Sequence, residues 1–186
     1  MKTEDRRVRK TRALLQGALV AVIAEKGYEA VTVQDIIDRA NVGRSTFYAH
    51  FRDKEDLLRS GLGEFRASLV AQKTGSPDRM LGFSLGVFEH AYGHRHVYKA
   101  VAGRQSAAIV FGQMQRMFTD LVRSDLKAFA PRAGRQANFD LVVEYVVGAL
   151  LATITWWLDH NARQPPEEID AMFRQLTLPG IKAALA

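Results

Sequence analysis

The chain contains no cysteine, which excludes a disulfide framework, a thiolate metal site and a cysteine nucleophile. Proline is scarce, with 5 in 186 residues, so long windows are free of the residue that most strongly breaks helices. Long apolar runs are lacking too. The longest uncharged one, Tyr145 to Leu158, falls short of the roughly 20 residues a membrane span requires, and is expected to be a buried helix rather than a membrane anchor. The basic N-terminus MKTEDRRVRKTR leads into an amphipathic helix with Glu25 and Lys26 near its end, which is not the pattern of a secretory leader. No segment alternates as a strand does. No nucleophile elbow, phosphate loop or paired-His metalloenzyme motif occurs, and the carboxylates are scattered over helix surfaces and termini. These absences lead to the expectation of an all-α, cytoplasmic, non-enzymatic protein, with room for a small unit and a larger domain with its own core.

What is present starts with charge. The net charge is +6, and the sharpest asymmetry is at the front, where Lys2, Arg6, Arg7, Arg9, Lys10 and Arg12 face only Glu4 and Asp5. An arm of this kind can neutralise phosphates or enter a minor groove. The alternative is a solvated terminus.

The stretch from Thr32 to Leu58 reads as two short helices joined by a tight turn and followed by the start of a third. Thr32 is placed to cap the first of them with Asp35 three residues on, and Val33, Ile36, Ile37 and Ala40 share one face. Asn41-Val42-Gly43 breaks it: Asn and Gly tolerate a left-handed backbone, and Val42 can tuck inward. In the next helix Phe47 and Phe51 lie four apart and face the core, leaving Arg44, Ser45, Thr46, Tyr48 and His50 for the outer surface. Those side chains suit phosphates and base edges. A guanidinium can donate two hydrogen bonds to guanine O6 and N7, so Arg44 is the first candidate for base reading, with a phosphate contact as the alternative. Ser45 and Thr46 could add a base or thymine-methyl contact.

These residues resemble the TetR/AcrR family of bacterial transcriptional regulators. The likeness sits in Gly27-Tyr28, Val31 to Ile36, Ala40-Asn41-Val42-Gly43, Thr46 to Phe51 and Lys54-Glu55-Asp56-Leu57-Leu58, and covers about the first third of the chain. Gly43, where the family often has Ser or Thr, and Ser45, where Gly is frequent, depart from the pattern. Gly costs only about a few tenths of a kcal/mol as a cap in place of Ser. The resemblance implies that Thr32, Tyr48 and His50 hold phosphates and that Lys54 does so from the start of the fourth helix. It also implies a double-stranded DNA operator as partner, a homodimer formed through the last two long helices, and a small, largely apolar effector bound among the middle helices.

Organisation follows from periodicity. Leu15, Leu19, Val22 and Ile23 mark a first helix that stops at Gly27, while Asp53 caps a fourth that carries Leu57, Leu58, Leu62, Phe65 and Leu69 beyond the motif. The expected domains are 1–60, a helix-turn-helix unit, and 61–186, a helical bundle for ligand binding and dimerisation. Lys73-Thr74-Gly75-Ser76-Pro77 is the clearest linker. Further helices are expected over about 78–92, 104–129, 138–160 and 166–176, with a turn after Pro179-Gly180.

Residues 141–158 are apolar on more than one face, which requires burial on two sides. One side can meet the domain core and the other a second subunit, with Val143, Val147, Leu150, Leu151, Ile154, Met172 and Phe173 as interface candidates; a wholly internal helix is the alternative. Candidates for the effector are Phe83, Phe88, Tyr92, Phe111, Met114, Phe118 and Trp156, although an aromatic at helical spacing is more often core. His90 and His94 have the i, i+4 spacing of a metal chelate. Without a third ligand no metal and no cofactor are expected. The function expected is therefore a homodimeric repressor released from a palindromic operator by a ligand. Alternatives are an all-helical small-molecule carrier and a constitutive DNA-binding protein without a ligand.

Overall fold

The computed structural model describes residues 6–73, 80–102, 107–129 and 136–185. Among the described residues there are nine helices and no strand: α1 (Arg6–Lys26), α2 (Val33–Ala40), α3 (Arg44–His50), α4 (Lys54–Lys73), α5 (Ser84–Gly93), α6 (Arg95–Ala102), α7 (Ala107–Leu126), α8 (Gln136–Asp159) and α9 (Pro166–Leu185). The expected all-helical class is the one found. Most of the expected linker, 74–77, lies outside the described residues.

The chain divides into two units, Met1–Glu64 with His96–Phe111, and Phe65–Arg95 with Gly112–Ala186. In the first, the stripe Leu15, Ala18, Leu19, Val22 and Ile23 of α1 meets Ile36 and Ile37 of α2, Phe47 and Phe51 around α3, and Leu57 of α4. Gly27, at φ 81°, closes α1 by donating its N–H to the Ile23 carbonyl at 2.9 Å, a left-handed end that glycine adopts without penalty. Val97, Val110 and Phe111 also pack on this core. Periodicity shows that such residues are buried but not against what, which is why residues 96–111 were expected in the second domain.

In the second unit α5, α8 and α9 contact one another. Val143, Val146, Val147, Leu150, Ile154 and Trp157 form the buried side of α8. Phe88 of α5 meets Trp157 and Phe173 edge to face at 6.0 and 5.8 Å, geometry that adds to burial through the ring quadrupoles. The Trp157 indole N–H donates to the Gln164 carbonyl at 3.1 Å. By length and composition alone α8 over Phe139–Asp159 could cross a membrane, because Phe139 to Glu144 extend the apolar run counted from the sequence. One of its sides, Val143 to Trp157, is packed into the core of this unit, and the other is exposed.

A buried polar corner precedes α5. Leu81 is fully buried at φ 54°, a left-handed conformation that a branched side chain rarely takes. Its N–H donates to the Asp125 carboxylate at 2.8 Å, and its carbonyl accepts from the Ser84 hydroxyl at 2.9 Å and from Arg174 at 2.8 Å. Three partners from α5, α7 and α9 hold the strained residue in place. The turn expected after Pro179-Gly180 is not there: α9 runs on to Leu185. Pro179 forgoes one amide hydrogen bond, but it is exposed, and burial of Ile181 to 1 % of its surface anchors the turn beyond it.

Candidate nucleic-acid interface

The interface is set up by a capping box. Thr32, extended at φ −107° and ψ 161°, accepts the Asp35 N–H on its hydroxyl at 3.2 Å and returns its own N–H to Asp35 Oδ2 at 2.7 Å. The Thr32 hydroxyl proton also goes to Asp35 Oδ2, at 2.6 Å. Lys26 pairs with the same carboxylate at 2.5 Å. The Lys26 ammonium, then the two Thr32 donors, hold the Asp35 carboxyl well below the usual carboxylate range. Both Thr32 donors are thus engaged within the cap, so a phosphate there would have to displace Asp35.

The turn to α3 places the left-handed residue at Asn41, φ 51°, while Gly43 is extended at φ −73° and caps α3 without a side chain. Of the two tolerant residues, only Asn41 is used in that way. Phe47 is fully buried and Phe51 nearly so, which fixes the rotation of α3. Arg44, Ser45 and Tyr48 are then exposed, and Thr46 and His50 half-buried. The Arg44 guanidinium lies 5.9 Å from the Tyr48 ring centre, and the Tyr48 ring meets Phe47 edge to face at 5.4 Å. The arginine therefore leans on an aromatic support that itself rests on the core.

The described part of the basic front is helical: α1 begins at Arg6, and Arg6, Arg7, Arg9 and Lys10 are exposed on its first described turns. Lys2 lies outside the described residues. Arg12 differs, lying 5.3 Å from the Phe51 ring centre and donating to the Ser60 hydroxyl at 3.3 Å.

Lys54, expected to hold a phosphate from the start of the fourth helix, is directed in this structure at the turn between α1 and α2. Its ammonium donates to the carbonyls of Tyr28, Glu29 and Val31 at 3.1, 3.2 and 2.8 Å, and lies 4.8 Å from the Tyr28 ring centre. Burial, followed by the Glu55 carboxylate, pushes the Tyr28 phenol well above its usual range, so the ring stays neutral. The lysine was legible in the motif, whereas the carbonyls it meets come from a turn more than twenty residues earlier.

In the second unit the expected interface set needs correction. Val143, Val147, Leu150, Ile154 and Phe173 are all 3 % exposed or less within the single chain, so they are core and cannot meet a partner; Leu151 is half-buried. Of that set only Met172 is exposed. The free apolar side chains are instead Leu141, Tyr145 and Trp156 on α8 with Met172 and Leu176 on α9. At 100° per residue, Leu141, Tyr145, Gly148, Ala152 and Trp156 form one face of α8, opposite the buried one. Both faces are apolar, so composition did not tell them apart.

The expected effector residues do not converge. Phe83, Phe88, Met114 and Phe118 are buried, Tyr92 and Trp156 are exposed, and Phe111 packs in the first unit. Trp156 stacks on His160 at 4.6 Å on the outer face, and Tyr92 is covered on one side by Trp157. An open cleft of about 560 Å³ lies between α5 and α9, lined by Leu85, Asp170, Arg174, Leu178 and neighbours, and none of the expected effector residues lines it. The His90 ring stacks on Phe65 at 3.9 Å and lies tilted against His94 at 4.2 Å. Burial, then the charge of His94, holds its pKa down to about 4. Among the described residues no group of three or more His, Asp or Glu is placed to hold a metal.

Comparison with known proteins agrees with this geometry. Residues 15–60 match the model described as "Bacterial regulatory proteins, tetR family", and 78–178 match "Transcriptional regulator C-terminal region". The chain is 29 % identical over 178 residues to the HTH-type transcriptional regulator YxbF of Bacillus subtilis, covering 92 % of this chain and 45 % of YxbF, so it spans about half the length of that relative. It is 25 % identical to the HTH-type transcriptional repressor KstR2 of Mycolicibacterium smegmatis, covering 90 % of this chain and 88 % of KstR2. A solved structure, the fatty acid degradation regulator FadR from Bacillus halodurans, superposes with a TM-score of 0.67 at 20 % identity over 97 % of this chain and 98 % of that one, and shares the fold.

Proposed function

We propose the following on the premise that this chain belongs to the tetR family of bacterial regulatory proteins and is a helix-turn-helix transcriptional regulator, not an enzyme. It acts in the cytoplasm as a homodimeric repressor, reads a palindromic operator, and is released from it by a small, largely apolar effector. The observation that carries DNA reading is the exposed row of α3, with Arg44 and Tyr48 outward and Phe47 locked inward. Arg44 reads a base edge, Ser45 and Thr46 lie beside it, and Tyr48, His50 and the basic start of α1 take phosphates.

A two-fold protein reads a two-fold site, with its recognition helices about one helical turn of DNA apart. The exposed apolar face of α8 and α9 supports a second copy as the occupant, because soluble monomers rarely leave such patches open. KstR2 is a repressor by its name, and that sense of regulation is carried here to this chain. Effector release requires only that the ligand bind the non-DNA-binding state more tightly. A coupling of about 1 to 3 kcal/mol changes operator affinity by about 5- to 150-fold.

A constitutive regulator without an effector is the second reading, favoured by the close burial of Phe83, Phe88 and Phe118 where a chamber was expected. Selection of binding sequences from random duplex DNA, then titration of the winner across salt concentrations, tests the first reading. A palindrome with a steep salt slope supports it, and binding indifferent to sequence overturns it. Screening compounds for release of that operator separates the effector-driven regulator from the constitutive one.

A further inference from the structure

The cleft between α5 and α9 lies wholly within the second unit, and its volume of about 560 Å³ is that of a small-molecule site. Leu85, Ala171, Leu178 and Pro179 give it apolar walls. Glu167 and Asp170, one turn apart on α9, bring two carboxylates to it against the single guanidinium of Arg174. That guanidinium is engaged at the Leu81 carbonyl, at 2.8 Å. Pro179 has no N–H to give the carbonyl four residues earlier in α9, that of Gln175, and both residues line the cleft. A carbonyl deprived of its helical donor thus accompanies the two carboxylates. The lining is net negative and rich in acceptors, which suits a positively charged donor.

The same side chains reach the strained corner before α5. Asp170 accepts the Ser84 hydroxyl, while Ser84 and Arg174 both donate to the carbonyl of Leu81. The single Ser84 hydroxyl proton therefore has two acceptors, the Asp170 carboxylate and the Leu81 carbonyl. A cation beside Asp170 weakens the carboxylate's claim on that proton and leaves it to Leu81, so occupation of the cleft is felt at the first residue of α5. We propose that this cleft is the effector site, and that it takes a small molecule with an apolar body and an ammonium head. The head lies among Glu167, Asp170 and the Gln175 carbonyl, and the body against Leu85, Ala171 and Leu178. This inference rests on the effector-released regulator proposed above.

The probes are octylamine, octanoate and octanol, which share a body and differ in the head, titrated calorimetrically into the full chain without DNA. Octylamine is expected to bind, and the other two about tenfold more weakly, the scale of a charge-assisted hydrogen bond. Ala171→Trp, at an exposed position on the cleft wall, fills the cleft and is expected to abolish binding. Pro179→Ala returns a donor to the Gln175 carbonyl and should weaken octylamine by about two- to tenfold. That change favours the helix, so folding is not at risk. Glu167→Gln should weaken it by about two- to fivefold, as for an exposed ion pair. Octanoate or octanol binding as tightly as octylamine, or no binding of octylamine, would overturn the proposal. Octylamine binding that survives Ala171→Trp would place the site elsewhere and overturn it too. If Ala171→Trp does not fold, unchanged affinity in both Pro179→Ala and Glu167→Gln has the same meaning. Octylamine is then added to wild type on the selected operator, where release that is lost in Ala171→Trp is expected. Binding in the cleft without release would keep the binding site and sink the effector-driven reading instead.

Discussion

The exposed surfaces of the two units are built on opposite terms. On α3 the outward residues are polar and differ from the inward ones in kind, so a single helical turn identifies both faces. On α8 the outward residues Leu141, Tyr145 and Trp156 are as apolar as the inward Val143, Val147 and Trp157. The difference teaches that residue type marks an exposed polar surface, whereas an exposed apolar surface is told from the core only by which residues the core has already taken.

Trp156 and Trp157 give the strongest way to break that comparison, since they are neighbours of one type, 47 % and 0 % exposed. Trp157→Ala should cost about 3 to 5 kcal/mol of unfolding free energy. Trp156→Ala should leave the folded chain intact and raise the dimer dissociation constant, with about 2 kcal/mol expected if it anchors the interface. Denaturation at several protein concentrations, with sedimentation equilibrium, separates the two. Equal loss of fold in both would end the assignment of faces.

Acid sharpens the contrast between units. The His90 pKa is lower folded than unfolded, about 4 against 6.5. The folded state therefore takes up its proton later than the unfolded one, and the stability that neutral His90 contributes is complete above about 6.5 and lost as pH falls toward 4. The loss should be on the order of 2 kcal/mol, confined to the second unit in hydrogen exchange and absent in His90→Phe. Asp35 is shifted in the acid direction too, so the contribution of the α2 cap is present above its ordinary value of 3.8 and disappears only below it. Simultaneous acid loss in both units would contradict this order.

Arg44→Ala should cost about 1 to 3 kcal/mol, concentrated at one base position in each half-site of the operator. A loss spread evenly over all sequences would make Arg44 a phosphate ligand. The smallest effect should come from Thr32→Ala, which removes the capping hydroxyl and should lower the stability of the first unit by about 1 kcal/mol. Amide exchange should quicken in α2 and leave α8 unchanged; faster exchange in both would show that the cap supports more than its own helix.

The sequence by itself determined the local features: the Thr32–Asp35 box, the break at Asn41, the inward Phe47 and Phe51, and the outward row from Arg44 to Tyr48. Each depends on spacing within a turn or two, and helical geometry fixes the rest. The tertiary structure alone decided that Lys54 turns to the carbonyls of Tyr28, Glu29 and Val31, that Phe111 belongs to the first core, that α9 continues through Pro179, and which apolar face of α8 is left open. In each of these the partner lies on another element. Periodicity records that a side chain is buried or a donor satisfied, and only packing supplies the group that does it.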